Sequence, residues 1–301
     1  MRRGTYSIVA RDQRSGQLGV AVESHWFAVG NLVPRAEAGV GAVATQGFAE
    51  PAYGPDALAM LRDGNDARQA LDRLTAADPD QHVRQVGVVD AAGGVAVHTG
   101  SSCVAEAGHT TGPGYCCQAS MMLRDTVPAA MAAAYETADG SFAERLLAAL
   151  DAAEAEGGDV RGRQSAALLV VPAEGEPWKR LFDLRVEDHP DPVAELRRLH
   201  SVQQAYDLTN EGENLASAGR HEDAARLFEQ ALRIAPDNDE LMFWAGLSAA
   251  EGGDMERALA RVRAAVAINP RWAEVLGRLD DAVAPSSTRV RQALSEHDRS
   301  S

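Results

Sequence analysis

At 301 residues, 45% of them hydrophobic, the chain is long enough for about two domains and can bury a core; with only 5% aromatics, that core must be built mostly from Ala, Val and Leu. A net charge of -15, from 29 basic and 44 acidic residues, disfavours nucleic acid and an anionic membrane surface, both of which need a basic footprint. The sequence has no apolar run of about 18 residues and no basic leader followed by an apolar stretch, so neither a membrane span nor a secretory signal is expected, and a cytoplasmic location is.

Residues 5–11 and 17–24 read as two strands joined by the turn residues Asp12, Ser15 and Gly16, a hairpin. "GVGAVATQGF" (39–48) reads as a third strand, rich in Gly and Ala. Two helices follow, "GPDALAMLRDG" and "NDARQALDRLTAA", the second with Asn65 ahead of its first turn. Strands return at 83–90 and 94–98, a Gly/Thr/Ser/Pro-rich loop spans 99–114, and "YCCQASM" reads as another strand. Helices at 125–138 and 141–156 precede strands at 164–171 and 181–187. Strands in hairpin groups with helices inserted as pairs argue against a doubly wound parallel sheet. They predict two antiparallel sheets face to face, with the helix pairs 54–77 and 125–156 outside.

From about residue 200 the pattern is helical and repeats. Ala224, Phe228, Ala231 and Pro236 recur 34 residues later as Ala258, Val262, Ala265 and Pro270, and Gly212 recurs as Gly246. That period is the tetratricopeptide one: small residues let paired helices approach and proline ends the second helix. The first-helix positions Leu208, Leu215, Met242 and Ala249 lack the consensus aromatics, so the repeats are degenerate. The expected organisation is an α+β domain over 1–200, helical repeats over 201–285 and a disordered polar tail over 286–301.

Chemistry centres on Thr5 at the head of the first strand. If Arg11 opposes Gln17, Thr5 opposes Glu23, a hydroxyl beside a carboxylate; a register one residue different places Ser24 there instead. Ser7 shares the face of Thr5. A threonine hydroxyl is a weak nucleophile until a base takes its proton. Cutting Gly4–Thr5 would free an α-amine with a pKa of about 8 to be that base. Against this stands the plain reading of Thr5 as a β-favouring residue in an edge strand. Other polar candidates are Thr45 and Gln46 at the end of the third strand, His98 before a Gly/Ser loop, and Gln118 on an apolar strand, with Ser101, Ser102 and His109 behind them. Arg161 and Arg163 read as surface charges. Cys103, Cys116 and Cys117 read as buried thiols. No CxxC, HxxxH or HExxH spacing occurs, so no metal and no cofactor is expected.

The run "TYSIVARDQRSGQLGVAVESHWFAVG", followed by "AGVGAVATQ", "YGPDAL", "VRQVGVVD", "HTGSSC", "AGHTTG", "GRQSAALLVV" and "LRVEDHPDPVAELRRL", resembles the bacterial family called domain of unknown function 1028, over residues 5–200. The resemblance implies an N-terminal-nucleophile-hydrolase-like fold, a four-layer αββα sandwich, with a helical-repeat extension. The start also resembles proteasome-type subunits, with Gly4-Thr5 as the junction and Glu23-Ser24 where those have Asp-Ser. The lysine of that pattern has no match; His25 and Arg35 are the nearest basic residues, and Arg35 would act only through its charge. The resemblance thus implies an amidohydrolase with Thr5, Glu23 and Arg35 as its catalytic set. Ser7, His25, Thr45, Gln46, His98 and Gln118 would line the substrate, a small amide or peptide. A protein partner at the repeats and a homo-oligomer are expected. The competing reading is a non-catalytic scaffold whose repeats dock a partner.

Overall fold

The computed structural model describes residues 4–300, with side chains as far as residue 296. The residues ahead of Gly4 that the hydrolase reading removes, and Ser301 of the expected tail, lie outside the described residues. The described chain divides into two compact units, the first ending at Arg198 and the second beginning at Leu199.

In the first unit, β1 (Thr5–Arg11) and β2 (Leu18–Ser24) form the hairpin, followed by a short α1 (Val29–Leu32), β3 (Pro34–Glu37) and β4 (Gly41–Gly47). Helices α2 (Tyr53–Arg62) and α3 (Ala67–Ala77) precede β5 (Arg84–Asp90), β6 (Val95–Thr99), β7 (Gly108–Gly112) and β8 (Tyr115–Ser120). Helices α4 (Val127–Thr137) and α5 (Phe142–Ala155) lead to β9 (Ser165–Val171) and β10 (Phe182–Val186). The strands pair antiparallel in two sheets, a six-stranded one ordered β10-β9-β2-β1-β8-β7 and a four-stranded one ordered β3-β4-β5-β6. Val9, Val20 and Val22 of the first sheet share one apolar cluster with Ala42, Ala44 and Val89 of the second. The other face of the second sheet packs Val43, Val86 and Val88 on Ala57, Leu61, Leu71 and Leu74 of α2 and α3. Helices α4 and α5 lie against β1, β2 and β8. There the contact is close enough that a β-carbon on Gly19 would sit 2.9 Å from Leu146 and 3.0 Å from Phe142.

Several expectations need correction. Asp66, not Asn65, caps α3, in a reciprocal capping box with Gln69. The stretch expected to be one loop contains β7, an edge strand held by β8. The hairpin register differs by one residue: Arg11 opposes Leu18, and Tyr6, not Thr5, opposes Glu23. The turn sets this. The Asp12 amide donates to Gln17 O at 2.8 Å, the Asp12 carboxylate accepts from the amide and hydroxyl of Ser15, and Gly16 supplies a left-handed φ of 72°. One residue of register moves every side chain to the other face.

The second unit holds most of α6 (Pro192–Ser217), then α7 (His221–Ile234), α8 (Asp239–Glu251), α9 (Met255–Ile268), α10 (Arg271–Arg278) and α11 (Ser287–Ser300). Ala224, Phe228 and Ala231 are buried, as are Ala258, Val262 and Ala265 one period later. Gly212 lies against the Phe228 ring and Gly246 against Val262, the same close approach 34 residues apart. The expected disordered tail is instead largely α11, with Val290 fully buried.

Candidate functional site

The hairpin register puts Thr5 and Ser24 side by side on the face turned toward the second sheet, and Tyr6 and Glu23 on the opposite face. Thr5 also opposes Ser120 on β8, and Ser24 opposes Ser165 on β9. Four hydroxyl side chains therefore cross four adjacent strands at one end of the sheet. Thr5 is 2% exposed, and the other three are buried.

Two of them, Thr5 and Ser24, converge on the Gly4 carbonyl. It accepts from Thr5 Oγ1 at 2.6 Å, from Ser24 Oγ at 2.5 Å and from Arg161 Nη2 at 3.0 Å. Thr5 Oγ1 and Ser24 Oγ are themselves 3.0 Å apart. Two hydroxyl protons serve three oxygen–oxygen contacts, so either hydroxyl can act as the donor between the two side chains. Arg161 is held by Asp159, Nε to Oδ1 at 3.0 Å and Nη2 to Oδ2 at 2.6 Å. The same carboxylate accepts from the amides of Arg161 at 2.9 Å and His25 at 3.3 Å. Asp159 sits in the loop after α5, where Gly157, Gly158 and Gly162 all have positive φ and a bridge from Asp159 to Met122 ties the loop to the end of β8. Directly after Ser120, Met121 is left-handed at φ 63°, a conformation costly for a residue with a β-carbon. Ser120 Oγ is buried without a hydrogen-bond partner.

Behind the cluster runs a buried amide network between the sheets. Gln46 Nε2 donates to Thr5 O at 2.9 Å and to Gln85 Oε1 at 2.8 Å, while its own Oε1 accepts from Ser7 Oγ at 2.6 Å. Gln118 Nε2 donates to Ala44 O at 3.1 Å. Gln85 reaches Ala119 O at 2.9 Å and Thr99 Oγ1 at 3.0 Å. The network holds the carbonyl side of Thr5 rigidly, since each buried amide left unmade would cost about 1–3 kcal/mol.

The sequence-predicted residues divide. Thr5, Ser7, Gln46 and Gln118 come together, and His25 borders them through its amide, its ring Nδ1 turned to Arg163 O at 3.2 Å. Glu23 does not face Thr5. It is buried on the far face beside Tyr6 and Glu154, one oxygen accepting from the Gln164 amide at 3.3 Å and the other unpartnered. Burial, and then the charges of Glu154 and Asp159, push its carboxyl well above the usual range. Arg35 is turned to Pro34 O and Asn31 O, with Arg185 and Asp183 as its charged neighbours. Thr45 Oγ1 donates to Glu50 O, and His98 Nε2 contacts Gln81 O at 2.8 Å. Asp159 and Ser120 were not anticipated, and Arg161 reads from sequence as a surface charge. Their only local signal is an Asp and an Arg two apart in a glycine-rich loop, "GGDVRGR".

Among the described residues no group of three or more His, Cys, Asp or Glu side chains could hold a metal ion. Among the described residues, no helix is long and apolar enough to cross a membrane.

An α+β unit of two antiparallel sheets, with a buried threonine-headed cluster at one sheet end and tetratricopeptide-like helices following, defines the class. The model of the family of unknown function DUF1028 matches residues 5–196, and the chain belongs to that family. A tetratricopeptide repeat model matches residues 209–271. The chain is similar to protein SPO2555 from Silicibacter pomeroyi, whose crystal structure is described under the same family. The two share 33% identity over 65% of this chain and 88% of that one, with a TM-score of 0.60. No curated protein matches.

Proposed function

We propose that the first unit is an amidohydrolase of the N-terminal-nucleophile type, with Thr5 as nucleophile and the helical repeats serving protein interaction. The observation that carries this reading is the convergence of Thr5 Oγ1, Ser24 Oγ and Arg161 Nη2 on the carbonyl oxygen of Gly4. Two antiparallel sheets packed between helix pairs, the layering of that hydrolase class, accord with it.

The chemistry begins with the chain's own peptide. Thr5 Oγ1 attacks the Gly4 carbonyl carbon, the C–N bond breaks and the hydroxyl proton ends on the Thr5 nitrogen. Water then hydrolyses the ester, restoring the hydroxyl and releasing the segment that ends at Gly4. Negative charge developing on the oxygen is met by the Arg161 guanidinium and the Ser24 hydroxyl, donors already in place. In the cleaved protein the freed α-amine takes the Thr5 proton, and the same attack opens a substrate amide through an acyl ester that water clears. Glu23 and Arg35 have no part in these steps; Ser24, Asp159 and Arg161 take the places first given to them.

Intact-mass measurement of the purified protein beside Thr5→Ala tests the proposal. Wild type beginning at Thr5, with the variant uncut, supports self-cleavage, whereas uncut wild type removes the base and ends the reading. The second reading, a non-catalytic protein whose repeats dock a partner, draws on the burial of Thr5 beneath an intact Gly4 peptide. Uncut wild type together with partner capture through the repeats would favour it.

A further inference from the structure

Gly4 is a glycine for a reason external to its own backbone. A β-carbon built on it would stand 2.4 Å from Asp159 Oδ2, 2.7 Å from Cγ and 2.8 Å from Oδ1, all closer than atoms can approach. The carboxylate cannot retreat. Its side chain is 0% exposed and is pinned by two backbone amides and by two nitrogens of Arg161. Asp159 therefore forms a wall on one side of the acyl group that Thr5 would attack.

The same wall stands beside any other acyl group brought to the same nucleophile. Resting on the hydrolase reading, we infer that this site takes amides whose acyl α-carbon carries no L-side chain, glycyl and acetyl amides foremost, and rejects L-alanyl and larger L-aminoacyl groups. Once the segment ending at Gly4 has left, Ser24 Oγ and Arg161 Nη2 lose their shared acceptor. Two aligned donors in a buried site call for another oxygen, and a substrate carbonyl seated there puts its α-carbon where Gly4 Cα now lies. The reaction itself adds only water: the acyl–nitrogen bond breaks, the amine leaves with a proton, and the acyl group departs as a carboxylate.

The test uses the full-length protein, its N-terminus established by mass, with glycyl- and L-alanyl-7-amido-4-methylcoumarin. The expected result is a kcat/KM for the glycyl compound at least about tenfold above that for the alanyl one, the scale on which a misfit of one carbon is discriminated. In Asp159→Ala that ratio should fall toward one even as the glycyl rate drops with the freeing of Arg161; a lost salt bridge alone would lower both rates and leave the ratio. Processed wild type that cleaves the alanyl compound as fast, or cleaves neither, overturns the substrate assignment and leaves self-cleavage standing. Wild type that retains the Gly4 segment and cleaves neither overturns the hydrolase reading and this inference with it. As a check free of the leaving group, Gly4→Ala should retain its N-terminal segment while keeping its circular dichroism; cutting at the wild-type rate would also overturn the inference.

Discussion

Arg161 and Arg35 carry the same charge and differ in what they reach. Arg161 touches the Gly4 carbonyl, whereas Arg35 is bonded to Pro34 O and Asn31 O. Removing a single donor from a developing oxyanion typically slows reaction by about 10²–10³-fold. Arg161→Ala should slow release of the Gly4 segment on that scale in a time course followed by mass, and Arg35→Ala should leave it unchanged. Glu23 offers a second prediction, in stability. Burial, followed by the charges of Glu154 and Asp159, raises its folded carboxyl above the ordinary value, so the folded chain binds that proton more tightly than the unfolded chain does. Its contribution is fully present below the unfolded carboxyl range and is lost as pH rises through the folded value. Glu23→Gln, which keeps an acceptor for the Gln164 amide and cannot ionise, should match wild type in acid and exceed it at pH 8. Denaturant midpoints at both ends of that window would check this, and a gap that narrows with rising pH would contradict it. The placement of Thr5, Gln46 and Gln118 in one cluster was partly legible because polar residues on otherwise apolar strands stand out. The placement of Arg161 was not, because a loop arginine looks the same whether its guanidinium meets water or a carbonyl far away in sequence.

Elements were legible wherever period and punctuation agreed. Helix α5 begins at a Ser141–Glu144 capping box and ends at Ala155, just ahead of the positive-φ Gly157, and α7 and α9 repeat one pattern. Strands β3 and β7 were missed because short edge strands lack a clean alternation and are held by their neighbours. The hairpin erred by one residue because the turn, closed by side chains of Asp12 and Ser15, decides register, and alternation alone allows two answers. Among the helices, two glycines should respond to substitution in opposite directions. At Gly246 a β-carbon would lie 2.8 Å from Val262 Cγ2 and 3.1 Å from Ala258 O. Gly246→Ala should therefore cost about 1–3 kcal/mol by overpacking, less any helix-propensity gain. At Gly277, in α10, nothing lies within 4 Å, so Gly277→Ala should gain up to about 1 kcal/mol. Thermal unfolding followed by helical ellipticity would separate the two. Phe228→Ala, which empties a ring that is 2% exposed, should cost about 3–5 kcal/mol in the same measurement.

For the whole molecule, charge is the property that acts at a distance. With a net charge of -15 at pH 7 and an isoelectric point near 4.9, the protein should stay dispersed at pH 8 and self-associate as pH falls toward 5. Light scattering across that range, repeated at raised salt, would check this; dispersion unchanged at pH 5 would count against it. Composition and period were enough, by themselves, to indicate an α+β part followed by helical repeats and the pairing of helices between groups of strands. Those properties follow from local propensity and from hydrophobic spacing, which are written residue by residue. Only the tertiary structure decided which polar groups meet: that Ser24 rather than Glu23 stands beside Thr5, that Asp159 and Arg161 close over Gly4, and that residues 287–300 are helical. Asp159 and Gly4 are separated by about half the length of the chain, and the contact that bars a β-carbon at Gly4 exists because sheet order and loop conformation bring them together, a relation that no window of sequence contains.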